Sequence, residues 1–280
     1  TTEIYTLSLH DALPILAMDE GFVTPTFIGD KARIESAHAA AGNCLGEVDV
    51  MPVEFIDEAV QAAVGIVKEG SAELLIRGAA PFPEFVRLLM NESEGFVPKG
   101  ATLGHIAFIK PERYPKLLAI TDAVVHPEPD LKQKITLTEN LVAACRKIGV
   151  DQPRVAVLAA VEVVYPQMPV TLDAAVLAKM GDRGQIKGAY VDGPLSFDCA
   201  IDAFAAESKG IRTSEVAGQA DAMLAPNMET AHGVYKAMAL YGHAELGGVI
   251  YGGRVPIAMP STSDSIKTIF HSIALACLLR

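Results

Sequence analysis

The sequence predicts an α/β fold in which a mostly parallel β-sheet is covered by helices on both faces. Short apolar, often β-branched runs alternate with longer amphipathic runs along the chain. The strand-like runs, such as residues 155–161, are apolar throughout, which is typical of strands buried on both faces. The chain has 280 residues, 50% of them hydrophobic, so its length allows one large or two modest domains.

The first half contains the less regular elements. Residues 25–29 (PTFIG) predict a strand that ends in a glycine turn, and Asp30 begins a predicted helix that runs to residue 41. Residues 55–70 predict an amphipathic helix, because apolar residues recur at helical spacing and Gly70 ends the run. Three further strands are predicted over residues 73–76, 105–109 and 117–121.

The second half alternates strands and helices more cleanly. A long helix is predicted over residues 131–149, after Pro127 and Pro129 have interrupted the chain. Because the strands are separated by helices, they are expected to be parallel, with ligands at their carboxyl ends. The predicted strands span 155–161, 188–191, 222–225, 249–251 and 255–257, and the helices span 172–180, 197–208, 229–240 and 266–279.

The first fifteen residues, TTEIYTLSLHDALPI, do not share this pattern. They match the in-frame translation of a common sequencing-library adapter, so we interpret residues 1–15 as foreign to the protein. We therefore expect the natural N-terminus to be missing, and this segment to pack poorly and contribute nothing to a functional site. Residues 16–130 are predicted to form a first α/β lobe and residues 131–252 a second, with residues 253–280 returning to the first.

Charge and composition exclude several classes of function. The net charge of −11 and the pI near 5.1 argue against nucleic acid as the main partner. No apolar run reaches the ~18 residues of a membrane-spanning helix. The four cysteines form no C-x-x-C pair, which favours buried thiols in a cytoplasmic protein. No metal-ligand spacing or Gly-rich phosphate motif occurs, so neither a metal nor a bound cofactor is predicted.

Hydroxyl and carboxylate residues gather between the last strands and the last helix, in the run Ser261 to Ser265. Hydroxyls and unpaired backbone N–H groups at a helix N-terminus can hold a phosphate. The alternative is that these residues only cap the helix. Other polar residues follow other predicted strands, namely Arg77-Gly78, Asp192-Gly193-Pro194 and Glu229, and each is also compatible with a turn or a cap.

Several segments together resemble the phosphate acetyl/butyryltransferase family, most closely its phosphate butyryltransferase branch. They are DGPL followed by FD (192–198), MPVTLDAAVLAKMGDRGQIKG (168–188), VYKAM (234–238) and SIALA (272–276). The resemblance covers the chain from about residue 16 to its end. It implies a two-lobed, three-layer αβα fold like that of isocitrate and isopropylmalate dehydrogenases, with the active cleft between the lobes.

The resemblance also implies the site residues. The family motif T-S-R-A-D-S corresponds here to PSTSDS (260–265), so Ser261 matches the serine that holds the acyl phosphate. Asp264 matches the aspartate, a candidate base or orienting group, and these two residues are the expected catalytic pair. The residues expected to bind substrate are Arg77, Gly78, Arg87, His105, Asp192, Gly193, Pro194, Glu229, Thr262 and Ser263.

The implied activity is that of a phosphate acyltransferase, which interconverts a short-chain acyl-CoA plus phosphate with an acyl phosphate plus CoA. Coenzyme A is then a substrate, and the protein is expected to be a cytoplasmic homo-oligomer, dimeric or larger. Thr262 replaces the family arginine, and a hydroxyl cannot supply a charged, bidentate fork. The alternative is therefore a weakened member that binds CoA or an acyl ligand without efficient turnover.

Overall fold

The computed structural model describes residues 2–5, 21, 23–40, 49–78, 80–91, 95–259 and 264–280. The chain divides into two compact units, residues 1–103 with 247–280 (unit 1) and residues 104–246 (unit 2). The boundaries lie at 103/104 and 246/247 instead of the expected 130 and 252. The reason is that the strands at 104–110 and 118–121 pair with each other and with the strand at 222–224 of unit 2.

The strands and helices of the described residues are numbered in chain order. The strands are β1 Thr2–Tyr5, β2 Thr24–Gly29, β3 Asp49–Pro52, β4 Leu74–Ile76, β5 Gly104–Lys110, β6 Leu118–Thr121, β7 Arg154–Leu158, β8 Tyr190–Leu195, β9 Ala222–Leu224, β10 Glu245–Tyr251 and β11 Ile257–Ala258. The helices are α1 Lys31–Ala40, α2 Ile56–Lys68, α3 Phe82–Leu89, α4 Leu131–Lys147, α5 Pro169–Asp182, α6 Phe197–Ile201, α7 Ala203–Ser208, α8 Met228–Leu240 and α9 Ile266–Leu278.

Unit 1 is built on strands in the order β3-β2-β1-β4-β11-β10. All neighbours pair in parallel except β10 and β11, which are antiparallel. Helix α2 shows why the periodic sequence is helical, since its buried residues Val60, Ala63 and Val67 form one apolar stripe. Because β4 and β11 are parallel, the residues that follow them lie at the same edge of the sheet.

The expectation that residues 1–15 pack poorly is wrong for the four residues described. Strand β1 lies inside the sheet of unit 1 and pairs in parallel with both β2 and β4. Strands β2 and β4 each present unpaired backbone groups to any extended segment between them. The run TEIY fits that place because Thr, Ile and Tyr favour strands. Pairing of this kind depends on the backbone and says nothing about the origin of the segment.

Unit 2 has the strand order β5-β6-β9-β7-β8, in which β5 is antiparallel to β6 and the other pairs are parallel. The first residues of β5 therefore lie at the same edge as the carboxyl ends of β6, β9, β7 and β8. Helix α4 begins with a capping box, in which Asp130 accepts from the N–H of Gln133 and the Gln133 side chain accepts from the N–H of Asp130. Among the described helices, none combines the length and apolar character needed to cross a membrane.

One predicted loop of unit 2 lies within a strand. Asp192, Gly193 and Pro194 were expected to follow a strand, yet they form the middle of β8. The Gly-Pro pair is typical of a turn, which is why the sequence misplaces it. Strand β8 is the outermost strand of unit 2, and a proline without an N–H is tolerated on such a strand.

Candidate functional site

Arg77 is held at the carboxyl edge of unit 1. It directly follows β4, and its backbone N–H donates to the carbonyl of Ala258 in β11 at 3.2 Å. The guanidinium is buried, with Nε 3.2 Å from Met259 Sδ and a terminal nitrogen donating to the Ala80 carbonyl at 2.8 Å. These contacts fix a permanent positive charge beside the residue that precedes segment 260–263.

The predicted catalytic serine cannot be placed. Ser261, Thr262 and Ser263 lie outside the described residues. Asp264 is half-buried and directly precedes Ser265, which caps α9 by accepting from the N–H of Thr268 at 3.2 Å. The expected roles of Ser261, Thr262 and Ser263 therefore stay predictions.

Two further substrate-binding candidates belong to unit 1. Gly78 follows Arg77 and is buried, whereas Arg87 is exposed in the last turn of α3. The structure thus fixes Arg77 tightly and leaves Arg87 at the protein surface.

Asp122 organises the carboxyl edge of unit 2. It follows β6 and is almost fully buried. Its Oδ1 accepts from the backbone N–H groups of His105, Val124 and Val125 at 3.2, 2.9 and 2.9 Å. Its Oδ2 accepts from the N–H of His126 at 3.0 Å. Burial raises the pKa of Asp122 above its ordinary value, although the amide donors favour the carboxylate.

His105 lies at the start of β5, beside Asp122. Its imidazole is buried, and Nδ1 has no hydrogen-bond partner among the described residues. Burial, followed by the nearby charges of His232 and Lys236, lowers the pKa of His105 to about 3. His105 is therefore a neutral imidazole at physiological pH, and one of its ring nitrogens has no partner in the part of the chain that the structure describes.

Helix α8 places three more side chains near His105. The rings of His105 and His232 lie 6.3 and 6.1 Å from the ring of Tyr235, and Lys236 Nζ lies 4.7 Å above the same ring. Glu229, a predicted site residue, is exposed in the first turn of this helix. The helix begins where the Asn227 side chain accepts from the N–H of Thr230 at 3.0 Å.

The contacts of the DGP segment are with the protein itself. The Asp192 carboxylate accepts from the hydroxyl of Ser214 and, at 2.8 Å, from the N–H of Gly193. A Cβ at Gly193 would lie 2.7 Å from the Val157 carbonyl, so only glycine fits. These contacts, together with the buried Pro194, account for the segment without a ligand, and its predicted role in substrate binding stays untested.

A polar network ties together the loops that follow β7 and β8. The Ser196 hydroxyl donates to Glu162 and lies 2.5 Å from Asp198 Oδ1. The Lys209 ammonium bonds to Glu162, Ser196 and Asp198 at 3.0, 2.9 and 3.1 Å. The hydrogen bond from Ser196, together with Lys209, lowers the pKa of Asp198 to about 2.

The same network contains the only group of possible metal ligands found within the described residues. One atom each of Glu162, Asp198 and Cys199 lies within 4.8 Å of the others. The Lys209 ammonium bonds to both carboxylates and supplies the positive charge that a metal ion would bring. We therefore interpret the group as an ion-pair network.

The sequence pattern pointed to one of three residues that shape this edge and did not single out the other two. Asp122 had a signal, since a carboxylate directly follows the buried strand β6. Tyr235 and Lys209 had none, because an apolar position on a helix and a lysine after one are ordinary features. Only the three-dimensional structure shows that Tyr235 lies among basic side chains.

The two units, each built on a largely parallel sheet with polar groups at strand ends, define a three-layer α/β protein. The family model for phosphate acetyl/butaryl transferases matches residues 51–277, and the chain belongs to this family. The resemblance found in the sequence is thereby confirmed.

Individual relatives agree with this assignment. The chain is 38% identical over 263 residues to a phosphate butyryltransferase of Clostridium acetobutylicum, covering 94% of this chain and 87% of the relative. It is 35% identical over 264 residues to a phosphate acetyltransferase of Rhizobium meliloti, covering 94% and 83%. A branched-chain phosphotransacylase from Enterococcus faecalis V583 matches with a TM-score of 0.82 at 24% identity, covering 100% and 99%. The structural match confirms the predicted fold class.

Proposed function

We propose that the protein transfers a short acyl group between coenzyme A and inorganic phosphate, in either direction. The observation that carries this proposal is the match of the family model to residues 51–277, supported by the phosphate butyryltransferase that is 38% identical over most of the chain. Coenzyme A is a substrate in this reaction, and the chemistry requires no bound cofactor.

The reaction needs acid–base chemistry and stabilisation of negative charge. A phosphate oxygen attacks the thioester carbonyl carbon, an oxyanion develops, and the C–S bond breaks to release the thiol. In the reverse direction a base must take the thiol proton, and donors must hold the phosphate and the carbonyl oxygen. We assign these tasks to Asp264 as base or orienting group, to Ser261 as a hydrogen-bond donor to the phosphate and to Arg77 as a fixed cation.

Arg77 supports the proposal from the structure. Its guanidinium is immobilised against Met259, one residue before segment 260–263, where Thr262 replaces the family arginine. An arginine keeps its charge at any working pH and can hold two phosphate oxygens at once. Arg77 therefore meets the need for a cation that Thr262 cannot meet.

The test is release of free thiol from acetyl-CoA and butyryl-CoA, with and without phosphate. We expect phosphate-dependent release by the parent and a loss of at least tenfold in Ser261→Ala and Arg77→Met. Thr262→Arg is expected to raise turnover if Arg77 only partly replaces the missing cation. Phosphate-independent release would show hydrolysis and contradict the proposal. No release by a folded parent would also contradict it and would favour a protein that only binds its ligand.

We also propose that the protein works as a cytoplasmic homo-oligomer. The buried thiols Cys145 and Cys199 support a reducing compartment. For self-association, the support is a run of exposed apolar side chains after β7, Val163, Val164 and Tyr165, with exposed fractions of 64, 55 and 48%. Light scattering should give the mass of at least a dimer, and Val164→Asp should lower it.

A further inference from the structure

An open hollow lies at the edge of unit 2 opposite to the edge that carries Asp122. Its volume is about 850 Å³, and its walls include the loop between β5 and β6, the end of α6 and the residues that follow α8. That loop joins the end of β5 to the start of β6, whereas Asp122 follows the end of β6. We call residues 111–115, 201–204 and 238–243, which form the hollow and its border, the distal surface.

The distal surface carries the three most exposed large apolar side chains among the described residues. Tyr241, Phe204 and Leu240 have exposed fractions of 87, 78 and 70%. Tyr241 lines the hollow, and each of the other two is the chain neighbour of a residue that lines it. Large apolar side chains that are scattered singly over a surface are ordinary, but several around one hollow indicate an interaction site.

The backbone holds both aromatic side chains in place. The Asp202 side chain accepts from the N–H of Phe204 at 2.8 Å. Ala203 packs so closely on Gly218 that a Cβ on this glycine would lie 2.6 Å from the Ala203 Cα. The N–H of Tyr241 closes the last turn of α8. Because these supports are already ordered, binding at the distal surface costs less conformational entropy than binding at a mobile loop.

Shape and charge favour a second copy of this chain as the partner. The distal surface combines a protruding aromatic side chain, Phe204, with a hollow, and a two-fold interface needs both features on one surface. Its charges are nearly balanced, with exposed Arg113 beside exposed Glu112 and Asp202, although the whole chain has a net charge of −11. Opposite charges on one surface can pair across a two-fold axis, so two copies can meet here without strong repulsion.

The area of the distal surface also fits a dimer. A covered Phe or Tyr buries about 150–250 Å², so Phe204 and Tyr241 together can supply about 300–500 Å². A standard interface buries about 800 Å² on each partner. Leu240 and the walls of the hollow can supply the remainder, so the distal surface is large enough for stable self-association.

We propose that the distal surface binds the distal surface of a second copy of this chain, so that Phe204 of each copy enters the hollow of the other. Arg113 of each copy then faces the partner's Asp202. This interface is separate from the self-association proposed through residues 163–165, because those residues follow the carboxyl end of β7, at the other edge of the sheet. A chain that uses both surfaces assembles into more than a dimer.

The first test measures the mass of the full chain by analytical ultracentrifugation in the Val164→Asp background, which removes the other surface. We expect this variant to remain a dimer, and added Phe204→Asp to raise the Kd of the dimer about thirtyfold or more. Phe55→Asp is the matched control, because Phe55 is an aromatic residue of unit 1 with an exposed fraction of 64%, and it should leave the Kd unchanged. A folded Val164→Asp variant that is monomeric, or equal effects of Phe204→Asp and Phe55→Asp, would overturn the proposal.

A charge exchange in the same background tests the two-fold pairing. Arg113→Asp places carboxylates opposite each other and Asp202→Arg places guanidinium groups opposite each other, so each variant alone should be monomeric. A mixture of the two restores an arginine–aspartate pair on both sides of the axis and should form a mixed dimer, which misfolded variants could not do. A mixture that stays monomeric would overturn the proposal. Because neither test involves turnover, an inactive protein that shows these effects would contradict only the proposed acyl transfer.

Discussion

Asp122 should contribute more to the stability of unit 2 than any single exposed carboxylate. Replacing it by alanine removes the acceptor for four backbone N–H groups, of which those of His105 and His126 are buried. An unsatisfied buried donor costs about 1–3 kcal/mol, so the two buried donors alone should cost about 2–6 kcal/mol. This is a large part of the roughly 5–15 kcal/mol by which most proteins are stable.

Asp122→Asn keeps the shape of the side chain but removes one of its two hydrogen-bond acceptor oxygens, so it separates the loss of hydrogen bonds from the loss of packing. The amide keeps one oxygen, which can serve the three donors now bonded to Oδ1, but its NH2 group faces the N–H of His126. We expect asparagine to cost about 1–3 kcal/mol, clearly less than alanine. Asp130→Ala is the control, since an exposed N-cap is worth about 1 kcal/mol.

Urea unfolding measures these differences. Circular dichroism and tyrosine fluorescence can follow the transition, because the chain has seven tyrosines and no tryptophan. The expected order of midpoints is parent, Asp130→Ala, Asp122→Asn and then Asp122→Ala. If Asp122→Ala unfolded at the midpoint of the parent, the four hydrogen bonds would carry no net stability and the argument would be refuted.

Three further predictions concern pH and packing. The pKa of His105 is lowered from its ordinary value of 6.5 to about 3 in the folded protein, so the unfolded chain takes up a proton first as the pH falls, and stability is full above pH 6.5 and decreases towards pH 3. Over this range, urea unfolding should show that the free energy of unfolding of the parent falls by up to about 1.4 kcal/mol per pH unit more than that of His105→Gln. Gly193→Ala should lower the free energy of unfolding by about 1–3 kcal/mol, because the new methyl group would clash with Val157. The control Gly65→Ala, in open space on α2, should raise the free energy of unfolding by about 0.5–1 kcal/mol. Equal effects of the two substitutions would contradict the packing argument. The pKa of Asp198 is lowered to about 2, so the parent should have a higher free energy of unfolding than Asp198→Asn above about pH 4, and this difference should vanish near pH 2. A difference in the free energy of unfolding that stayed constant over that range would exclude the carboxylate as its cause.

Much of the fold follows from sequence periodicity. The alternation of apolar runs with amphipathic runs correctly predicted the helices at 56–68, 131–147 and 228–240. The sequence also predicted that Arg77 lies at the edge of a sheet, because this charged residue directly follows the apolar strand β4. These features are local, so one stretch of sequence contains the whole signal.

The failures concern features set by distant residues. Gly193 and Pro194 were expected in a turn, but close packing on Val157 and the outermost position of β8 place them in a strand. The helix expected over 197–208 divides at Asp202, whose side chain accepts from the N–H of Phe204 at 2.8 Å. Residues 2–5 were expected to pack poorly, but the sheet accepts them as strand β1 between β2 and β4.

The candidate site was predictable only in part. The resemblance supplied the position of His105, but the arrangement of His105, Lys236 and His232 around Tyr235 depends on β5 and α8 packing together. Residues more than a hundred positions apart leave no joint signal in a single sequence. The catalytic residues Ser261 and Asp264 remain predictions that only variants can test.

The most direct test of the proposed function is phosphorus NMR of a mixture of butyryl-CoA, inorganic phosphate and the protein. The proposed function predicts that inorganic phosphate disappears and an acyl phosphate signal appears in step with free thiol, one for one. It also predicts that adding coenzyme A to the isolated acyl phosphate reverses the change, and that Ser261→Ala slows both directions. Free thiol that forms without any acyl phosphate would show hydrolysis instead of transfer and would contradict the proposed function.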